Sequence, residues 1–110
     1  MAEEIVVLTN VPDAAIAETI ARSLVERRLA ACVNILPAVN SVYRWEGKIE
    51  QATEITLLIK STEGRYAELE NVIAKLHPYD VPEIIALPIV AGLPAYLWWV
   101  ASETEGRANA

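Results

Sequence analysis

The sequence has few of the residues that build disulfides, metal centres or nucleic-acid surfaces. Its 110 residues include one cysteine, Cys32, and one histidine, His77. A single cysteine cannot form an internal disulfide, and a zinc site needs about three or four protein ligands, more than one chain offers here. Nine Lys and Arg stand against fifteen Asp and Glu, for a formal net charge of -6. Nucleic acid is therefore not an expected partner, because binding to phosphates depends on clustered basic residues.

Export and membrane insertion are also unexpected. The N-terminus is acidic where a secretory signal is basic, and its apolar run covers only residues 5–8. Residues 84–101 are eighteen positions without a charge, near the lower limit for a membrane-spanning helix, but Pro88, Gly92 and Pro94 interrupt them. With a single cysteine, the sequence predicts a protein of the reducing cytoplasm.

Apolar residues are what the sequence has in excess. Hydrophobic residues make up 54% of the chain and charged residues 22%, which is apolar for a length that fits one domain, residues 1–110. A domain of this size has a large surface relative to its volume. We therefore expect part of the apolar surface to meet another subunit.

Hydrophobic patterning predicts the element order β-α-β-β-α-β-α. The expected elements are strands at 4–9, 31–36 resuming at 41–45, 48–60 and 83–89, and helices at 13–28, from a cap at Ser61-Thr62 to His77, and from Pro94 onward. This order is the split βαβ arrangement of an α+β, ferredoxin-like fold with an antiparallel sheet and one additional helix. Both long helices then lie on one face, and we expect another copy of the chain to cover the other face.

Local signals place the boundaries of several elements. Asp13 is suited to cap the first helix, and Glu46-Gly47 to form a tight hairpin turn. Pro88 indicates an edge strand because proline cannot donate to a ladder. Residues 104–110 are expected to form a loose polar tail.

Six short motifs follow one another in a specific order and spacing. They are Thr9–Asp13, Leu29–Ile35, Ser41–Ile49, the pair Glu54 and Lys60, His77–Ile84, and Tyr96–Trp99. In these motifs, over nearly its full length, the chain resembles the CutA divalent-cation tolerance proteins. The resemblance implies a ferredoxin-like subunit, a tight homotrimer with sheets joined edge to edge, and a shape similar to the PII-like signalling proteins. It implies a role in tolerance of divalent metals, with copper binding in some members, and no established reaction.

Metal ligands carry over from the resemblance only in part. Where some relatives have a thiol near the end of the first strand this chain has Thr9, and where some have two histidines it has Leu76-His77. The candidate ligands are therefore His77 and Cys32. They favour copper or zinc held weakly, and no obligatory cofactor is expected. The alternatives are that His77 only ends a helix and that Cys32 is a small buried hydrophobe.

A second candidate site consists of polar residues in otherwise apolar strands, which usually have a partner or a task. One interpretation is a Lys60–carboxylate ion pair within or between subunits. The other is a small polar cleft at a subunit boundary, walled by aromatic rings. Its expected residues are Tyr43, Trp45, Glu54, Lys60, Tyr79 and Glu83. For Tyr43 and Trp45, packing within the oligomer is the favoured role.

Signatures of catalysis are missing from the sequence. It has no Gly-rich phosphate loop, no G-x-S-x-G motif and no H-E-x-x-H pair. We therefore expect no enzymatic activity. Three hypotheses remain: a homotrimer in the response to divalent metals, a PII-like sensor or adaptor with a ligand in an intersubunit cleft, and a structural trimeric anchor.

Overall fold

The computed structural model describes residues 3–105, and its elements follow the predicted order. They are β1 Glu4–Val11, α1 Ala14–Glu26, β2 Cys32–Ile35, β3 Val39–Trp45, β4 Lys48–Thr62, α2 Tyr66–Leu76, β5 Ile85–Pro88 and α3 Pro94–Glu103. A single 3₁₀ turn, Glu63–Arg65, leads into α2. The first helix and the last strand are each shorter than their patterns predicted.

All strand pairs in the sheet are antiparallel, in the order β2-β4-β1-β5, and β3 also pairs with β4. The 15-residue strand β4 pairs with β1, β2 and β3 and so holds the sheet together. Strand β5 lies at the edge, as Pro88 predicted. The α+β, ferredoxin-like class is thereby confirmed.

The hydrophobic core lies between one face of the sheet and helices α1 and α2. Val7 is opposite Ile59 across the β1–β4 ladder, so their side chains share this face. Both are fully buried, as are Ile20 and Leu24 of α1 and Ile73 of α2. Burial of each such side chain stabilises the fold by about 1.5–3 kcal/mol relative to exposure.

Two local predictions are confirmed. The Asp13 carboxylate accepts a hydrogen bond from the Ile16 amide at 2.9 Å and caps α1. Glu46 and Gly47 have φ of 51° and 81°, the two positive values of a type I′ turn. This turn closes the β3–β4 arm, the hairpin of residues 39–54, which contributes to overall extents of 46 × 27 × 23 Å.

The predicted cap at Ser61-Thr62 is right in position but not in its bond: Thr62 is the N-cap residue of the 3₁₀ turn that leads into α2, and its side chain makes no capping hydrogen bond. Strand β4 continues through both residues, with Thr62 opposite Glu4, and α2 begins only at Tyr66. The Ser61 hydroxyl donates to the Leu29 carbonyl at 2.6 Å instead of capping a helix. Pairing with β1 thus prevails over the local capping signal.

Helix α3 covers part of the sheet face opposite α1 and α2, which was expected to be covered by another copy of the chain. Thr62 lies on the face opposite the core, and its hydroxyl is 3.4 Å from that of Thr104, just after α3. Thr104 is buried, so assigning it to a loose tail was wrong; the rest of that prediction, residues 106–110, lies outside the described residues. Trp98 is 71% exposed, whereas Trp99 is 38% exposed and packs on Tyr96.

Within residues 3–105, no helix is long and apolar enough to span a membrane.

Candidate functional site

A groove of about 580 Å³ lies where β1 ends, beside the β3–β4 arm and the loop that follows α2. Strands β1 and β4 bring Asn10 and Glu54 to its floor, and β3 brings Tyr43 and Trp45 to its wall. Pro78 ends α2, so that the following loop crosses the groove. The lining residues are Asn10, Ser41, Val42, Tyr43, Trp45, Glu54, Tyr79, Asp80, Val81 and Glu83.

Glu54 is the buried acid of this groove, with 8% of its surface exposed. The Tyr79 hydroxyl donates to its Oε2 at 2.8 Å. Burial, then the bond and charge of Glu54, and then the proximity of Tyr43 raise the pKa of Tyr79 to about 12. The other oxygen, Oε1, has no hydrogen-bond partner within residues 3–105 and is not sealed from solvent.

Asn10 orders the opposite side of the groove. The Thr56 hydroxyl donates to its Oδ1 at 2.6 Å, which leaves Nδ2 to donate to Glu83 Oε1 at 3.1 Å. Asn10 and Asp80 lie within two of the sequence motifs, Thr9–Asp13 and His77–Ile84, but neither was predicted as a site residue. A polar residue on an otherwise apolar strand is the signal that identified Glu54, and it applies equally to Asn10.

His77 lies directly behind this groove and is 7% exposed. Its Nε2 is 2.7 Å from the Asn10 carbonyl oxygen, and its Nδ1 accepts the Tyr79 amide at 3.3 Å. A carbonyl only accepts, so Nε2 carries the proton and the ring is neutral. Both ring nitrogens are therefore occupied in a bridge between the end of α2 and the end of β1, and neither is free for a metal ion.

Lys60 lies away from the groove, in contrast to the prediction. It is six residues from Glu54 along β4, which is about 20 Å in an extended strand. Its ammonium group donates to Asn34, and within the described residues it forms no ion pair with a carboxylate. The structure brings together the other five predicted cleft residues, Tyr43, Trp45, Glu54, Tyr79 and Glu83.

The two candidate metal ligands lie apart. Cys32 is opposite Lys60, on the sheet face away from α2, whereas His77 is behind the end of β1. Cys32 is half-buried beneath Tyr96, whose pKa is raised by burial and by the neighbouring thiol. Thr9 is fully buried on the core face. Among residues 3–105, no three His, Cys, Asp or Glu side chains are grouped so as to hold a metal ion.

These features define a class: a ferredoxin-like α+β subunit with a polar groove at one end of its sheet. Within this class, the chain belongs to the CutA1 divalent ion tolerance protein family, whose model matches residues 5–103.

Relatives of known sequence support this assignment. The chain is 50% identical over 101 residues to the divalent-cation tolerance protein CutA of Thermus thermophilus, covering 92% of this chain and 98% of that protein. It is 45% identical over 98 residues to mouse protein CutA, covering 89% of this chain and 55% of the mouse protein. The chain thus spans nearly all of the bacterial relative and about half of the mammalian one.

Solved structures show the same fold. The Thermus protein superposes with a TM-score of 0.91 at 49% identity, covering 93% of this chain and 99% of that chain. A protein from Archaeoglobus fulgidus, described as a periplasmic divalent cation tolerance protein CutA, gives 0.89 at 38% identity, covering 93% and 99%.

Proposed function

We propose that this chain acts as a homotrimer in the response of the cell to divalent metal ions. Membership of the CutA1 divalent ion tolerance family carries the proposal. The role is one of binding and not of catalysis, in keeping with the lack of catalytic motifs in the sequence. We place the protein in the cytoplasm, on the ground that its single cysteine makes no use of an oxidising compartment.

Exposed apolar side chains on both edges of the sheet support the trimer. The β3–β4 arm exposes Val42, Trp45 and Ile49, and the opposite edge exposes Ile85 and Leu87 of β5. Strand β5 also leaves one side of its backbone unpaired within the described residues. Edge strands of this kind are suited to pairing with another chain, which would bury both the backbone groups and the apolar side chains.

Copper or zinc binding by this subunit is proposed to be weak. Coordination through His77 requires its ring to give up either Asn10 or Tyr79, so the lost hydrogen bond opposes the metal. Cys32 lies elsewhere and brings no second ligand to His77. We therefore propose that the response to metals does not depend on tight coordination by either residue.

A second candidate function is that of a PII-like sensor or adaptor, with the groove as its ligand site. The observation that favours it is the groove of about 580 Å³, which is of the size that small metabolites occupy. Its buried acid and aromatic walls are typical of specific small-molecule recognition.

Light scattering and thermal unfolding test both functions. A trimer has a mass of about 36 kDa, three times 12.1 kDa, and a folded monomer at micromolar concentration would contradict the proposal. Unfolding is then followed with added copper, zinc or a pool of metabolites. A ligand that binds the folded state raises the melting temperature. A rise with metal supports the first function, a rise with metabolites supports the second, and no rise leaves only a structural anchor.

A further inference from the structure

The end of α1 places an arginine in a left-handed backbone conformation. Arg28 has a φ of 59°. The Leu29 amide donates to the Leu24 carbonyl at 2.9 Å, and the Arg28 amide donates to the Val25 carbonyl at 3.1 Å. These two bonds form the Schellman motif that ends many helices, and its left-handed position is usually glycine. Arginine is strained there, because its Cβ crowds the following carbonyl oxygen.

The Arg28 side chain lies against the end of another helix. Its Nη2 donates to the Ser102 carbonyl, in the last turn of α3, at 3.0 Å. The last carbonyls of a helix have no partner within it and carry partial negative charge. Helix α3 has no basic residue in its own last turn, so Arg28 supplies the cation from α1. An ion pair to Glu103 at 3.9 Å is close to half-exposed and adds little.

Helix α3 buries little of its own surface. Val100 is the only buried residue of α3, whereas α1 buries four. Tyr96, which covers Cys32, is itself 38% exposed, and the contact of Thr104 with Thr62 is long, at 3.4 Å. An element with few buried apolar contacts opens at a lower free energy than the core does. The bond from Arg28 is therefore a large share of what holds α3 in place.

We propose that Arg28 is a latch, its contact with the Ser102 carbonyl holding α3 closed over the sheet, and that α3 opens as a unit when this latch is lost. The strained backbone supports this role, since glycine would end α1 without strain but could not reach Ser102. Opening of α3 uncovers the sheet face around Cys32, on the side away from α1 and α2. The latch thus couples two helices that lie on opposite faces of the sheet.

Hydrogen–deuterium exchange followed by mass spectrometry tests the latch on the full chain, in the assembly that it forms in solution. Peptides within residues 94–103 report on α3, and peptides from β1 and β4 report on the core. Arg28→Gly and Arg28→Asn remove the latch and suit a left-handed position, so both variants should fold. Arg28→Lys keeps a cation that can donate one bond. Arg27→Ala removes an exposed charge at the preceding residue and is the control.

In the wild-type protein, α3 should exchange faster than β1 and β4. Arg28→Gly and Arg28→Asn should speed exchange in α3 about tenfold, since a bond from a charged donor shifts an equilibrium by roughly that factor or more. Arg28→Lys should lie between these variants and wild type, and Arg27→Ala should stay within about twofold. Peptides from β1 and β4 should change less than α3, because relief of strain offsets the lost bond for global unfolding but not for the opening of α3.

Unchanged exchange of α3 in Arg28→Gly and Arg28→Asn would overturn the proposal, by showing that other contacts, including those of a neighbouring copy, hold this helix. Equal acceleration of α3 and the core would also overturn it, since α3 would then open only when the whole chain unfolds. The same acceleration in Arg27→Ala would reduce the effect to one of net charge and would reject the latch.

Discussion

Two buried polar side chains meet at Tyr79, and their surroundings differ in one respect. His77 and Glu54 are 7% and 8% exposed, so burial does not distinguish them. His77 uses both ring nitrogens in bonds to Asn10 and Tyr79, whereas Glu54 uses one oxygen and leaves the other without a partner within the described residues. A buried group with every bond made contributes to the fold, whereas a carboxylate oxygen that is open to a groove can still accept a hydrogen bond from water or a ligand. The bonds of His77 thus support a structural role for the helix end behind the groove, and we propose the floor of the groove as the binding region.

The largest expected effect is on the structural side of this comparison. His77→Ala leaves the Asn10 carbonyl and the Tyr79 amide without partners and opens a cavity, so it should reduce the free energy of unfolding by about 2–4 kcal/mol. Urea denaturation measures it. His77→Gln, which can retain a donor toward Asn10, should lose less, and Lys75→Ala, exposed on the same helix, less than about 0.5 kcal/mol. A His77→Ala protein as stable as wild type would contradict the structural role.

The next effect concerns the groove wall. Trp45→Ala removes a large half-exposed ring from the β3–β4 arm, and the proposed trimer would bury that ring, so association should weaken by a few kcal/mol. Sedimentation should show a smaller or concentration-dependent species, while circular dichroism still shows helix and strand. An intact trimer of unchanged stability would place Trp45 free at the surface and strengthen its role toward a ligand.

Tyr79→Phe, a smaller change, removes the one bond to Glu54 and should cost about 1 kcal/mol at neutral pH. The pKa of Tyr79 is about 12 in the folded chain against 10.0 unfolded, so its contribution is present below pH 10 and lost as the pH rises toward 12. The variant should therefore lose less stability than wild type between pH 10 and 12.

Tyr66→Phe is the matched control, because the pKa of Tyr66 is also raised to about 12, by burial and then by its bond to Glu70. Denaturation at several pH values should show the same flattening in both variants. A flattening in only one of the two variants would contradict the shared cause, which is burial of both tyrosines.

The structural features that could be predicted from the sequence are those that depend on residues close together in the chain. The Asp13 cap, the Glu46-Gly47 turn and the Pro94 start of α3 were predicted because each depends on neighbouring residues alone. The capping bond expected at Ser61-Thr62 and the loose tail at Thr104 were wrong because strand pairing and the contact between Thr62 and Thr104 join distant parts of the chain.

The candidate site shows the same division. Five of the six predicted cleft residues line the groove, and they were predicted from polar positions in apolar strands and from aromatic rings expected to wall the cleft. Lys60 was misplaced because it was selected for its polar side chain on an apolar strand, although six residues of extended strand already separate it from Glu54 by about 20 Å. The occupied nitrogens of His77 were equally hidden, since the bond to Asn10 spans 67 residues of sequence.

The smallest expected effect is at the tip of the arm. Gly47 has a φ of 81° and open space around its Cβ position, so Gly47→Ala meets backbone strain and no clash. It should cost about 1 kcal/mol, felt mainly in the arm. Gly64→Ala, also in open space but without a positive φ, should be nearly neutral in the same thermal unfolding experiment.

The most direct test of the contrast between His77 and Glu54 is the long-range ¹H–¹⁵N spectrum of the imidazole, which is unambiguous because the chain has one histidine. An untagged protein at pH 7 should show the neutral ring with the proton on Nε2, unchanged by one equivalent of Zn²⁺. Movement of either nitrogen signal on adding Zn²⁺, or a proton on Nδ1, would contradict the structural role of His77.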